Sequence, residues 1–268
     1  MNSSLLGKWQ IENPKLLVET KTSAVYLVQF QGQPTVLKLL NSFGQRFEGE
    51  APAALRYFNG NGAVQLLQAD DEAQLLEYLD GPSLAEISKN GGDKEAAEII
   101  CEVVKQLHSI DGARPKKLKT LEENFQILLI KAKEAESDPI LSDASLVARK
   151  LISTQTDILV LHGDIHHHNI MQSSNRGWLA IDPQCLLGER TYDLANLFFN
   201  PFDCFDIVEN SERIQLYCDV FADKLNLDPL RILEFAFAYG CLSACWEIED
   251  GENPGRRIRI SKLIRDLI

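Results

Sequence analysis

The apolar pattern of this chain changes period once, at Asp80-Gly81-Pro82-Ser83, and that change limits the folds open to it. Before it, runs of β-branched and aromatic residues alternate with polar punctuation; after it, apolar residues recur mostly at helical spacing. Val25-Tyr26-Leu27-Val28-Gln29-Phe30 and Thr35-Val36-Leu37-Lys38-Leu39-Leu40, separated by Gln31-Gly32-Gln33-Pro34, predict a β-hairpin. A helix is expected over residues 47–59, stopped at Asn59-Gly60-Asn61-Gly62 where glycine takes a positive φ, and short strands at residues 63–68 and 73–79. Beyond residue 80 the period predicts helices over residues 83–88, 93–110, 120–135, 143–154, 209–225 and 229–248. One β island interrupts them at residues 158–161, 169–172 and 178–181, with Ser173-Ser174-Asn175-Arg176-Gly177 as a hairpin turn. The expected class is α+β: a small antiparallel sheet with one helix, then a mainly helical remainder.

Charge and segment composition narrow the partners. Against 39 Asp and Glu stand 27 Lys and Arg, so the formal charge is 27 − 39 = −12. Sequence-independent binding to nucleic acid or to an anionic membrane draws on Lys and Arg facing phosphates, so neither is expected, whereas a neutral or cationic partner is favoured. Residues 1–8 lack a basic segment followed by a sustained apolar run, and residues 230–246 carry Arg231 and Glu234, which reads as a buried core helix. A soluble, cytoplasmic protein is expected. The six cysteines contain no Cys-x-x-Cys pair and are expected to be reduced thiols.

The chemistry is concentrated in Leu161-His162-Gly163-Asp164-Ile165-His166-His167-His168-Asn169-Ile170 and in Ile181-Asp182. A carboxylate, an amide five residues on, and a second carboxylate thirteen beyond that across a hairpin is the spacing of a phosphoryl-transfer site. Mg²⁺ takes hard oxygen ligands, which Asn169 and Asp182 supply, while Asp164 stands near the hydroxyl to be phosphorylated. A histidine zinc site and a polar loop without chemistry are the competing readings; Gly163 disfavours the helix that would bring His162 and His166 to one metal. Upstream, Lys38 lies in an apolar strand and needs a carboxylate partner unless it is an edge lysine with its head in water. Glu50 is the candidate partner and Glu48 its competitor.

Together with Ile181-Asp182-Pro183 and Tyr192-Asp193-Leu194-Ala195, the set from His162 to Asn169 resembles the aminoglycoside phosphotransferases. The resemblance runs from Val25 to about residue 254. Gly62-Ala63-Val64-Gln65-Leu66-Leu67, Leu75-Leu76-Glu77-Tyr78-Leu79 and Ala244-Cys245-Trp246-Glu247-Ile248-Glu249-Asp250-Gly251 are most similar to the streptomycin 6-kinase and hydroxyurea phosphotransferase branch. It implies a two-lobed protein-kinase-like fold, with a nucleotide-binding lobe over residues 1–79, a hinge at about 77–81, and a helical lobe over residues 80–268 carrying the catalytic loop. It implies ATP, with GTP as the variant, and Mg²⁺.

Position by position, the resemblance makes Asp164 the catalytic base, Asn169 and Asp182 the magnesium ligands, Lys38 the phosphate-binding lysine and Glu50 its partner. His162 would orient the catalytic loop and Asp193 buttress it; the backbone of Glu77 and Leu79 would meet adenine. Thr20-Lys21-Thr22-Ser23-Ala24 has no glycine, so Ser23 and nearby amides would have to cradle phosphate. Asp182 is followed by Pro183-Gln184 and no Ala-Pro-Glu occurs, which separates the chain from protein kinases. His168 is expected to fill space rather than to react. The acceptor would be a small-molecule hydroxyl, most readily a cationic streptomycin-type aminoglycoside meeting Trp246, Glu247, Glu249 and Asp250; a solvated acidic helix cap is the bland reading of the last three. A kinase of choline, a sugar, homoserine or a ketosamine, and a non-catalytic module on the same fold, are the alternatives.

Overall fold

The computed structural model describes residues 3–134 and 138–268; Met1, Asn2 and Ala135, which end two segments read above, lie outside the described residues. In chain order, α1 (Ser3–Trp9) leads into β1 (Ile11–Glu19), β2 (Ser23–Phe30) and β3 (Gln33–Leu40), followed by α2 (Ser42–Glu48), α3 (Ala51–Phe58), β4 (Leu66–Ala69) and β5 (Ala73–Glu77). The predicted hairpin, β2 with β3, is the middle of an antiparallel sheet ordered β1-β2-β3-β5-β4. Strand β1 has no counterpart in the sequence reading, because eight of its nine residues are exposed and no apolar alternation announces it. It is held by backbone pairing to β2.

The single helix expected over residues 47–59 is two. Pro52 has no N–H to give the Glu48 carbonyl and its ring would collide with that group, so α2 ends at Glu48 and α3 restarts past Gly49-Glu50. Asn41 caps α2 by accepting from the amides of Phe43 and Gly44, and Asn59 closes α3 in the left-handed region at φ 47°. This break decides which glutamate reaches Lys38.

The helical lobe contains α4 (Ala85–Lys89), α5 (Asp93–His108), β6 (Lys119–Thr120), α6 (Leu121–Lys131), α7 (Pro139–Ser153), β7 (Ile158–Leu161), β8 (Ile170–Ser173), β9 (Gly177–Ala180) and β10 (Leu186–Glu189). A 3₁₀ run, Arg190–Phe199, follows, then α8 (Phe205–Val208), α9 (Ser211–Leu225), α10 (Pro229–Glu249) and α11 (Gly255–Arg265). Every residue of α10 from 232 to 245 is buried, against α7, α11 and the 3₁₀ run among others, which is why its sequence is apolar on all sides. No described helix is long and apolar enough to cross a membrane.

Backbone hydrogen bonds join the lobes at the β8–β9 hairpin. Val64 N donates to Ala180 O (2.8 Å) and Ala180 N to Gly62 O (2.9 Å), while Gly81 N donates to Gln172 O (3.0 Å) and Leu84 N to Ile170 O (2.8 Å). A Cβ on Gly81 would lie 2.7 Å from Gln172 Cβ, so this seam needs glycine. The hairpin that carries Asp182 at its exit is thereby registered against the sheet lobe.

One buried ion pair secures the other end of the site. Glu189 is 2% exposed and accepts Arg231 Nε at 2.8 Å and Nη2 at 2.6 Å, plus the Thr156 amide at 3.1 Å. It locks the start of the 3₁₀ run to α10. Replacing Arg231 with Met leaves a buried carboxylate with one neutral donor; we expect a loss of about 3–5 kcal/mol in urea unfolding, and a loss below about 0.5 kcal/mol would show that Glu189 does not depend on the pair.

Candidate active site

Strand β7 delivers the chain to the turn His162-Gly163-Asp164. Gly163 takes φ +83°, and a Cβ there would sit 2.8 Å from Leu186 Cγ, so geometry and space both require glycine. The turn hangs on Asp193, 2% exposed, whose oxygens accept the amides of His162 (3.1 Å) and Gly163 (2.7 Å). His108, from the end of α5, holds the same carboxylate at 2.8 Å. His162 Nε2 donates to the Ile181 carbonyl (2.9 Å) and its Nδ1 accepts the Asp164 amide (3.3 Å), an arrangement of a neutral ring whose pKa burial lowers. His162 and Asp193 thus position the loop and do not face the cleft.

Asp164 is gripped on one oxygen. Asn196 Nδ2 donates to its Oδ1 at 2.9 Å, and Asn200 Nδ2 donates to Asn196 Oδ1 at 2.8 Å, which fixes the way the Asn196 amide points. Side chains three apart eclipse on a 3₁₀ helix, so Asp193 and Asn196 fall on one row facing the loop. Burial, reinforced by the charge of Asp182, raises the Asp164 pKa to about 7, against the pull of Asn196 and Arg257. Asp164 Oδ2 lies 4.0 Å from His166 Nε2.

The three consecutive histidines have three different surroundings. His166 Nδ1 accepts the His168 amide at 3.2 Å. His167 is fully buried and shares a 2.8 Å hydrogen bond with the Tyr217 hydroxyl. His168 packs against Phe202 at 4.5 Å between ring centroids and reaches Asp203 at 3.3 Å. Among the described residues, no group of three or more His, Cys, Asp or Glu is placed to hold a metal, so the donor set does not support the histidine zinc reading.

Across the loop, Asn169 Nδ2 donates to the Asp164 carbonyl at 3.0 Å, leaving Oδ1 as the atom turned to other partners. Asp182 leaves β9 at φ +63° with its carboxylate 40% exposed. Lys38, in the interior of the sheet with its side chain 7% exposed, places Nζ 2.5 Å from Glu48 Oε2 and in contact with the Asp182 carboxylate. The expected partner Glu50 is therefore corrected to Glu48: the Pro52 break leaves Glu50 exposed at the head of α3. Burial works to lower the Lys38 pKa, but Asp182 and Glu48 outweigh it and the pKa is raised.

The remaining predicted positions divide. Ser23 is buried, with its hydroxyl 3.2 Å from Thr20 Oγ1, and Thr20 Oγ1 also accepts the amides of Thr22 (3.3 Å) and Ser23 (3.0 Å), so no open serine hydroxyl lines this turn. The Glu77 side chain is committed to Arg176 and to the Gln65 amide, and Leu79 is buried beside it. At the end of α10, Glu247 pairs with Arg257 (3.2 Å) and Asp250 with Lys21 (2.7 Å), so two of the three acidic groups already have cations. Trp246 packs edge-on against Tyr239 at 6.1 Å, and Glu249 is exposed.

Sequence reasoning missed Asn196, His108 and Arg257. Asn196 was findable, three residues past Asp193, had the segment been read as 3₁₀; His108 and Arg257 come from α5 and α11, far along the chain, and no local spacing marks them.

Comparison with known proteins agrees with this geometry. Residues 8–251 match the family described as aminoglycoside/hydroxyurea antibiotic resistance kinase. The chain is 34% identical over 253 residues to a streptomycin 3''-kinase of Klebsiella pneumoniae, covering 92% of each. It is 31% identical over 262 residues to a streptomycin 6-kinase of Streptomyces griseus, covering 92% of this chain and 81% of that one. Among solved structures, aminoglycoside phosphotransferase APH(4)-Ia in ternary complex with ADP and hygromycin B superposes with a TM-score of 0.70 at 12% identity, covering 98% and 97% of the two chains; this shares the two-lobed protein-kinase-like fold. The chain belongs to the aminoglycoside/hydroxyurea antibiotic resistance kinases, phosphotransferases that act on small molecules.

Proposed function

We propose that the protein transfers the γ-phosphoryl group of ATP to a hydroxyl of a streptomycin-type aminoglycoside, with Mg²⁺. The observation that carries this reading is the division of labour on Asp164: Oδ1 is held by Asn196 and Oδ2 is left to take a proton from an acceptor hydroxyl. Streptomycin is named for the two curated relatives quoted above, which supports it as the acceptor class without choosing between hydroxyls.

The donor set suits magnesium. The Asn169 Nδ2 donates to the loop, which points its oxygen the other way, and the Asp182 carboxylate is solvent-accessible; both are hard oxygen donors. Among the described residues no three His, Cys, Asp or Glu converge to hold the ion alone, which fits a cation shared with nucleotide phosphates. Bound there, it would neutralise charge on the transferred phosphoryl group. Lys38, steadied by Glu48, would bind the phosphates, and the backbone of Glu77 and Leu79 would meet adenine, with the lobes divided near residue 79. Acid–base work by Asp164 and positioning by the loop account for the rate.

Two measurements test this. Incubated with ATP and Mg²⁺, streptomycin should gain one phosphoryl group by mass spectrometry, and Asp164→Asn should lower kcat by about 10²–10⁴-fold while nucleotide binding persists. Preference for a neutral acceptor over every cationic one would instead favour a metabolite kinase. Separately, Glu48→Gln should raise the ATP KM and lower kcat, about tenfold in kcat/KM, whereas Glu50→Gln leaves both within about twofold. The reverse order would restore the Lys38–Glu50 pairing.

A further inference from the structure

His166 stands beside Asp164 in the catalytic loop, and the mechanism above gives it no task. Its Nδ1 accepts the His168 N–H at 3.2 Å, so the proton of the neutral ring is on Nε2. That Nε2–H faces Asp164 Oδ2 at 4.0 Å, too long for a hydrogen bond between them. The other carboxylate oxygen is already taken by Asn196 at 2.9 Å. A donor and an acceptor therefore look at each other across a gap of one oxygen atom. An oxygen placed about 2.8 Å from both would subtend an angle of about 90°, near the tetrahedral value a hydroxyl prefers.

We infer that His166 is a further catalytic residue, whose Nε2–H donates to the acceptor hydroxyl oxygen while that hydroxyl donates to Asp164 Oδ2. Each valence of the oxygen then has an assigned direction: carbon, the proton toward Asp164, one lone pair toward His166, and the second lone pair toward the γ-phosphorus. As the O–P bond forms, the bond from the γ-phosphorus to the β,γ-bridging oxygen breaks with its electron pair leaving on ADP, and the hydroxyl proton passes to Asp164. His166 keeps its own proton throughout. The cationic or titratable groups acting on the ring are His168, edge-on at 6.1 Å between centroids, and His162 of the same loop with Arg257 of α11, while Asp164 is the carboxylate beside its Nε2. The inference rests on Asp164 as proton acceptor and not on streptomycin as substrate.

Asparagine and glutamine separate the two ring nitrogens. Asn reproduces the Nδ1 position and keeps an acceptor for the His168 amide, whereas Gln extends an N–H to the Nε2 position and gives up that cap. With streptomycin and ATP, His166→Asn should lose about 10–100-fold in kcat with an unchanged ATP KM and melting temperature, and His166→Gln should stay within about threefold of the parent kcat. Full activity in His166→Asn, equal loss in both variants, or a raised ATP KM as the main effect would overturn the assignment, the last by placing the donor on phosphate. Should the parent protein not phosphorylate streptomycin, the acceptor reading fails by itself. The same variants are then compared for ATP hydrolysis, in which water takes the hydroxyl's place and the same order of rates is expected.

Discussion

The carboxylate of Asp193 is the constraint on which the site depends. Three donors from two separate elements converge on it: two consecutive loop amides and the imidazole of His108. A buried carboxylate is costly unless its lone pairs are filled, so the loop, the end of α5 and the 3₁₀ run are ordered together or not at all. Because the 3₁₀ geometry eclipses every third residue, fixing Asp193 also fixes Asn196, and through it the orientation of Asp164.

The second organising element is the seam along the β8–β9 hairpin. The segment entering β4 and the segment leaving β5 are both hydrogen-bonded to this hairpin, so Lys38 on β3 and Asp182 at the exit of β9 meet although 144 residues separate them. Lys38 bridges Glu48 and Asp182 across the lobes. A second crossing, between Lys21 in the β1–β2 turn and Asp250 at the end of α10, is exposed and adds little stability by comparison.

The end of α10 shows why charge read from sequence is an incomplete guide to a binding surface. Trp246-Glu247-Ile248-Glu249-Asp250 presents three carboxylates at the negative end of a helix dipole. In the folded protein, Arg257 and Lys21, ten residues downstream of Glu247 and far upstream of Asp250, compensate two of them. A cationic acceptor would have to share or displace these partners.

By itself the sequence determined the fold class, the hairpin at the centre of the sheet, the buried helix read over residues 229–248 and the loop from His162 to Asn169 with Asp182, because apolar period, turn residues and motif spacing are local properties. It also held, unread, the Pro52 signal that moves the Lys38 partner from Glu50 to Glu48. Only the tertiary structure decided the roles of His108, Asn196 and Arg257, the occupied state of the Ser23 hydroxyl, and the strand β1, which carries no apolar alternation. Each of those depends on which groups approach through space, and a hydrogen bond or ion pair between distant elements leaves no periodicity in either partner.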